Sequence, residues 1–478
     1  MQVGLEEQVA LLQERIPIFT RSIKGAFRRF KTGVLLLAYA VFFLLPWLPW
    51  SRDDGPSQAV MFDLPGRRFL IFDLTVYPQD VVWLALLLFI AATLLFFATG
   101  LVGRAFCGYF CFQTLWTDFF IWIEARFQGE RPARIRLYRQ PWTREKLLKI
   151  GGTHFVWLLA SFWTGMTFVL YYGYAPDLLA RFFTGQAAAA AYITVSALTL
   201  TTYFAAGFLR EQVCTYICPY GRFQSVMYDR ETLAVHYDAK RGEAAHGRAS
   251  ARAGLRTLEE RKAKGHGDCI DCGLCVQVCP AGIDIREGLQ YRCISCGLCI
   301  DACNGIMDSM GYPRGLIRYD SEANLSREIP EKPRLHWKRL KIIGYGVSIV
   351  LMTGYLIYSV GARSSFEDAV TQVRQPLFVV LSNGDIRNRY QIRLTNKQSR
   401  QESFFIKTEG LPASALDLGG FSEVAVKPGH SVMVQASIIL PPEQAARTSE
   451  VKFVITPKSR PEETRTEKAG FHYMAGRG

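Results

Sequence analysis

The residues best suited to chemistry in this 478-residue chain are twelve cysteines, all between positions 107 and 303. Eight form two consecutive C-x2-C-x2-C-x3-C runs, at Cys269, Cys272, Cys275, Cys279 and at Cys293, Cys296, Cys299, Cys303. A cubane iron–sulfur cluster needs four thiolates converging on its irons. Two-residue spacers let one tight turn offer three of them, and in two-cluster proteins the fourth comes from the opposite run. The spacing therefore predicts two [4Fe–4S] clusters, the first on Cys269, Cys272, Cys275 and Cys303, the second on Cys293, Cys296, Cys299 and Cys279. C-x2-C pairs also bind zinc, but the doubled run with Pro280 after its fourth cysteine favours clusters. Asn304 stands where the second run would carry its own proline, a position that affects the local turn and not ligation.

The other four cysteines lie in FCGYFCF (Cys107, Cys111) and VCTYICPYGRFQ (Cys214, Cys218). Each pair has i,i+4 spacing, which predicts both thiols on one helix face. Each also follows a long apolar segment, so packing of those two segments would bring four thiols to one candidate copper site. Soft thiolates favour copper(I) and also suit zinc or iron–sulfur centres; the bland alternative is that they are small buried hydrophobes. His154 is either a fifth donor or a hydrogen-bonded core residue, and Met166, Tyr171 and Tyr172 are expected to pack. Tight local grouping of cysteines points to metal ligation in a reducing compartment, not to a disulfide framework. No catalytic nucleophile, acid–base pair or nucleotide-binding loop emerges.

The elements that must position these thiols are membrane helices. Five segments, near 31–50, 81–102, 152–173, 187–209 and 340–360, are long and apolar enough to span a bilayer. The first follows a polar, basic lead and lacks a small-residue cleavage pattern, which argues against a signal peptide. Residues 103–150 hold nine Lys and Arg against four acids, whereas 51–80 hold three against five and 174–186 one of each. Basic residues also precede the fifth segment. By the positive-inside rule the N-terminus and the cysteine runs face the cytoplasm and the C-terminus the periplasm of a bacterial inner membrane. The net charge of +14 thus sits in membrane-flanking loops beside lipid, which argues against nucleic-acid binding. LWTDFFIWIEARF reads as an interfacial amphipathic helix or as an extension of the second segment.

The fold class expected is a multi-domain membrane protein: an α-helical transmembrane bundle, a dicluster ferredoxin-like cytoplasmic domain and a C-terminal immunoglobulin-like β-sandwich. Residues 1–30 form a cytoplasmic segment, 31–209 a four-span domain, 210–267 a cytoplasmic linker that is flexible with a short helix over 238–267, and 268–325 the ferredoxin-like domain. The fifth span at 340–360 leads to 361–478. There RYQIRLTN, SVMVQASIIL and EVKFVITP alternate apolar and polar positions and KPGH supplies a turn, the pattern of a β-sandwich.

The order of these parts, with the strings LPGRRFLIFDLTVYPQD and GYPRGLIRYDSEAN, the C-x3-C and C-x3-CPYG motifs and the doubled ferredoxin run, resembles the CcoG/FixG/RdxA family of cytochrome c oxidase accessory proteins over nearly the whole chain. Proteins of the NapH and NosR type look similar in the spans and clusters, without a β-rich tail. The resemblance implies a role in maturing a cbb-type haem–copper oxidase and an activity that reduces copper(II) to copper(I). Its implied partners are oxidase subunits or copper chaperones, with a cytoplasmic electron donor. The first pair departs from the C-x3-CP form, because Phe112 follows Cys111 where Pro219 follows Cys218. Two other functions fit the same parts: a quinone-linked membrane ferredoxin subunit, and a non-redox oxidase assembly scaffold.

Overall fold

The computed structural model describes residues 18–51, 56–252, 254–328, 331–398 and 400–473; the first part of the expected N-terminal segment lies outside them. The chain divides into two compact units. One comprises the described residues up to Leu45, Leu87–Leu170 and Ala180–Thr353; the other comprises Pro46–Leu86, Tyr171–Leu179 and the described residues from Gly354.

Five helices are long and apolar enough to cross a membrane: Ala26–Trp47, Val81–Val102, Arg144–Leu170, Ala189–Leu209 and Leu340–Gly361. Their regular α-helical parts are α1 (Ala26–Leu44), α2 (Val81–Val102), α5 (Arg144–Leu170), α6 (Ala189–Phe204) and α10 (Leu340–Gly361). Between α2 and α5 lie α3 (Ala105–Tyr109) and α4 (Phe112–Gln128). The LWTDFFIWIEARF stretch is thus a separate helix, not an extension of the second span. Its buried face is Leu115, Trp116, Phe120 and Ile123, which pack with Leu35, Trp157 and Ala206 from three of the long helices. The Trp116 indole donates to Thr164 Oγ1 (3.0 Å) and the Trp157 indole to the Phe120 carbonyl (3.2 Å), so the large apolar side chains also satisfy their polar ends.

The cysteine runs fold between two strands, β4 (Ala234–Tyr237) and β5 (Ile317–Asp320), paired antiparallel. After α6, a short helix α7 (Pro219–Met227) leads to β4. The runs carry α8 (Leu274–Gln277) and α9 (Leu298–Met310). The stretch expected to be a flexible linker is packed into this unit. Arg261 is fully buried and donates to the carbonyls of Gly267, Ala249, Leu255 and Cys269. A charged composition predicted exposure; here the guanidinium's five donors are used to tie a loop together.

The second unit contains a two-sheet sandwich. One sheet runs β10 (Leu416–Asp417), β12 (Ser431–Leu440), β8 (Ile386–Asn396), β6 (Phe366–Gln372), with β7 (Val379–Val380) on β8; the other runs β11 (Val424–Val426), β9 (Glu402–Glu409), β13 (Glu450–Pro457), β14 (Arg465–Gly470). Alternate residues of β8, β12 and β13 point inward, so Tyr390, Ile392, Leu394, Ile438, Phe453 and Ile455 are buried in one core. The same unit holds a small meander, β1 (Val60–Asp63), β2 (Arg68–Ile71) and β3 (Leu74–Val76). Arg363 pins this meander, donating to Asp80 Oδ2 and the Thr75 carbonyl at 2.8 Å each.

Candidate functional site: two thiol-lined spaces and four further thiols

Each cysteine run turns in the same way. Asp271 and Ser295, two residues after the first cysteine of their runs, have φ near +50°, and the glycines after the second cysteines, Gly273 and Gly297, are also left-handed (+64° and +72°). These turns curl the backbone around the thiols and then start α8 and α9. The Ser295 amide points at Cys293 Sγ (3.4 Å). In the first run Pro280 follows Cys279 and α8 has already ended; in the second, Asn304 lets α9 run on to Met310 while its Oδ1 accepts from the Gly315 amide (3.0 Å).

The thiols gather around two spaces. One is lined by Cys269, Cys272, Cys275 and Cys303. The other is lined by Cys279, Cys293, Cys296 and Cys299, with Cys275 on the border of both. The last cysteine of each run therefore stands with the first three of the other. Burial pushes the Cys275 thiol up to about 11 and Cys303 up to about 12, and Cys303 is raised further by its neighbours Cys275, Cys269 and Cys272. Burial also raises Cys279 to about 11, with Cys296 adding, against the amides of Ile283, Ala281 and Gly282. Sets of four gathered thiols, most of them at least partly buried, fit a metal–sulfur group, because such a group removes the thiol protons that burial otherwise retains. Among the described residues no three His, Cys, Asp or Glu side chains stand close enough to share one metal ion.

The remaining four thiols lie at breaks between helices, which corrects the expectation of one helical face. α3 ends at Tyr109, and Cys111 is the extended N-cap of α4 (φ −67°, ψ 129°). α6 continues as a π-helical turn, Ala205–Leu209; Arg210 follows with φ +42°, then a second π-helical turn, Val213–Ile217, and Cys218 is the extended N-cap of α7 (φ −75°, ψ 111°). Phe112 and Pro219 thus occupy the same first helical position. Proline is favoured there but not required, so the departure in the first pair leaves the two pairs alike in local structure.

Cys107 and Cys214 each lie within electrostatic reach of Cys111 and Cys218. Burial pushes Cys107 up to about 12, with Cys111, Cys214 and Cys218 adding and Arg104 opposing; burial pushes Cys214 up to about 11, with Cys111 and Cys218 adding. Two glutamines brace the pairs against each other. Gln113 Nε2, two residues after Cys111, donates to the carbonyls of Ala205 (2.7 Å) and Arg210 (3.1 Å). Gln224 Oε1 accepts from Cys107 Sγ (3.2 Å). Arg210 is held in its left-handed conformation by an ion pair with Glu124, which also binds Arg134 at 3.0 Å. Sequence reasoning missed these braces, since nothing local marks Gln113 or Glu124.

His154 stays in the core: Nδ1 meets Tyr203 Oη at 3.0 Å and the ring packs on Trp157 and Phe208. Met166 is fully buried and Tyr171 stacks on Phe62, both packing roles.

Comparison with known proteins decides the family. The pattern of a 4Fe–4S dicluster domain matches residues 209–322, that of a 4Fe–4S binding domain residues 83–129, and that of the Ig-like fold at the C-terminus of FixG residues 356–474. Protein RdxA of Cereibacter sphaeroides is 44% identical over 84% of this chain and 84% of its own. Protein RdxB of the same organism is 40% identical over 92% and 93%, and the nitrogen fixation protein FixG of Rhizobium meliloti 36% over 98% and 95%. The chain belongs to the FixG/RdxA family. It is an iron–sulfur electron-transfer protein of that family, with an Ig-like C-terminal domain and five apolar helices that fit a membrane protein.

Proposed function

We propose that this FixG/RdxA protein reduces copper(II) to copper(I) in the bacterial inner membrane, for assembly of a cbb-type cytochrome c oxidase. The observation that supports the reading is that Cys107 packs against Ile294 and Cys296 of the second run while Cys111, Cys214 and Cys218 all lie near enough to raise its thiol. Cys269, Cys272, Cys275 and Cys303 would hold one [4Fe–4S] cluster, and Cys293, Cys296, Cys299 and Cys279 the other. When bound, these groups supply one-electron transfer at potentials set by surrounding hydrogen bonds and burial. The residues of the chain bury the thiols, aim amides at their sulfurs and present the four further thiols as a soft site that favours copper(I) over copper(II). To hold one copper ion those thiols must draw together. The electron comes from a cytoplasmic donor, and the cuprous product passes to an oxidase subunit or copper chaperone. Loop charges support an orientation with the N-terminus and clusters cytoplasmic and the Ig-like domain periplasmic.

Protein purified without air tests this directly by counting iron and copper. About eight irons are expected from two cubanes, with copper bound in addition. Removing both cysteines of either membrane-edge pair should abolish copper binding and leave the iron. Full copper binding in a variant lacking all four would refute the reading. The match of residues 83–129 to a 4Fe–4S binding domain favours a second reading, in which these thiols hold a third cluster; about twelve irons and no copper would then be found. A reporter at the C-terminus should be active only outside the cytoplasm, and one near Lys264 only inside.

A further inference from the structure

The two thiol sets are not equivalent with respect to the membrane-edge cysteines. Gly108, between Cys107 and Cys111, lies flush against the second run: a Cβ there would come within 2.7 Å of the Ile294 carbonyl, 3.0 Å of Cys296 Cα and 3.2 Å of its amide nitrogen. The next residue, Tyr109, is buried and its hydroxyl donates to the Cys296 carbonyl (2.8 Å). Cys107 itself packs against the apolar cluster built on Ile294, Cys296 and Leu298. The second pair is tied to the same stretch through buried Arg104, which donates to the carbonyls of Tyr291 (2.5 Å) and Gly221. The set formed by Cys269, Cys272, Cys275 and Cys303 makes none of these contacts among the described residues. Instead it carries Cys272, the one exposed cysteine of the twelve.

We infer that electrons enter at the Cys269/Cys272/Cys275/Cys303 set and leave from the Cys279/Cys293/Cys296/Cys299 set, with Gly108 and Tyr109 as the positioning residues of the exit. The inference rests on the reading that the membrane-edge thiols hold the electron acceptor. In the step itself one electron passes from the second set to copper(II), giving copper(I). It is replaced through the first set by a one-electron reductant of the cytoplasm, and no covalent bond is made or broken. Cys275, which borders both spaces, lies on the internal path. The hydroxyl of Tyr109 contributes a fixed dipole at the second set, where hydrogen bonding and charge tune potential. The missing side chain of Gly108 keeps the two backbones in contact.

Two measurements on the full-length protein test this. The first is an EPR-monitored redox titration of Tyr109→Phe, which keeps the ring and removes the hydroxyl that donates to the Cys296 carbonyl. Iron content should be unchanged, and only the cluster that survives in Cys272→Ser protein should shift, to lower potential. A shift of the other cluster, or no shift, overturns the inference. The second is single-turnover reoxidation of dithionite-reduced protein by cupric ion. Cys272→Ser should keep the fast phase of the wild type; Cys299→Ser and Gly108→Val should lose it. A fast phase retained in Cys299→Ser and lost in Cys272→Ser reverses the order. If the wild-type protein itself shows no reoxidation by copper, the copper reading fails, and the titration, which uses no copper, still decides which cluster adjoins Tyr109.

Discussion

The first span and the second cysteine run are joined by one carboxylate. α1 starts at Ala26 with Gly25 as its N-cap, which has no side chain to accept from the free amides of the first turn. Asp301, between Cys299 and Cys303 on α9, takes that role: its two oxygens accept from the amides of Phe27 (3.2 Å) and Arg28 (2.8 Å), and the side chain is buried. Losing an N-cap acceptor costs about 0.5–2 kcal/mol, and losing negative charge at a helix N-terminus a further ~0.3–1 kcal/mol. Asp301→Ala should therefore destabilise the start of α1 by about 2 kcal/mol, roughly a thirtyfold rise in local opening at about 1.4 kcal/mol per decade. Asp301→Asn keeps an acceptor and loses the charge, so about 1 kcal/mol is expected from the charge–dipole contribution.

Hydrogen–deuterium exchange of peptides covering the first turn of α1 reads this, with iron content measured alongside because Asp301 sits between two cysteines. Gly25→Ala is the complementary perturbation. Its Cβ would fall 2.1 Å from Asp301 Cγ, so it should displace the same carboxylate without altering the cysteine run. Unchanged exchange at Phe27 and Arg28 in both Asp301→Ala and Gly25→Ala, with iron retained, would refute the capping argument.

Cys279→Ser should damage the cluster gathered by Cys293, Cys296 and Cys299 and remove about half the iron; loss of the other cluster alone, read by EPR, would show that the ligands do not cross between runs. At Asp229, burial works against the charge, but Lys341, Thr232 and Arg339 outweigh it and hold the carboxyl down to about 2 from an ordinary 3.8. Because the folded value is depressed, the anchorage of Arg339 and Lys341 before and at the start of α10 should persist above pH 4 and fail as pH drops through about 2; proteolysis near 331–339 at stepped pH, with Asp229→Asn as the variant already loosened at neutral pH, checks it. Gly429→Ala should lower the melting temperature of the second unit, since φ is +65° and the new Cβ would lie 2.4 Å from Tyr77 Oη. The left-handed conformation alone costs about 1–2 kcal/mol, and a Tyr77→Phe background should recover part of the loss.

What the sequence made legible was whatever has a local period or a fixed spacing. β12 and β13 coincide with SVMVQASIIL and EVKFVITP because alternation is enforced residue by residue against a buried core, and KPGH is the turn between β11 and β12. The five long helices follow from length and hydropathy in the same way. The pairing of β4 with β5 joins residues eighty or more positions apart through four-residue strands, too short to show a period. The meander of β1–β3 was hidden for the same reason in a loop read only for its charge. The i,i+4 spacing of the cysteine pairs misled, because helical period was assumed across a break. At Cys218 a signal existed, since Pro219 suits a first helical position and not a helix interior. At Cys111 none did: Phe112 starts α4 without any residue that announces a boundary.

That shared break explains why two pairs with different flanking residues form one kind of site. All four thiols are half-buried, and burial, with their thiol neighbours adding, holds Cys107 and Cys214 up at about 12 and 11. The second cysteine of each pair is the extended N-cap of a helix. A continuous helix would have left all four sulfurs against backbone already committed to its own hydrogen bonds. Breaking it at the second cysteine gives each pair a helix N-terminus, and Gln113 from the opposite pair adds a donor to the carbonyls of Ala205 and Arg210. The cost is a left-handed Arg210, a conformation that persists only where its surroundings over-determine it; here the Glu124 ion pair and the Gln113 hydrogen bond do so. The break thus brings the two helix ends and their thiols near one another beside Gly108 and Tyr109, where the second cysteine run comes into contact.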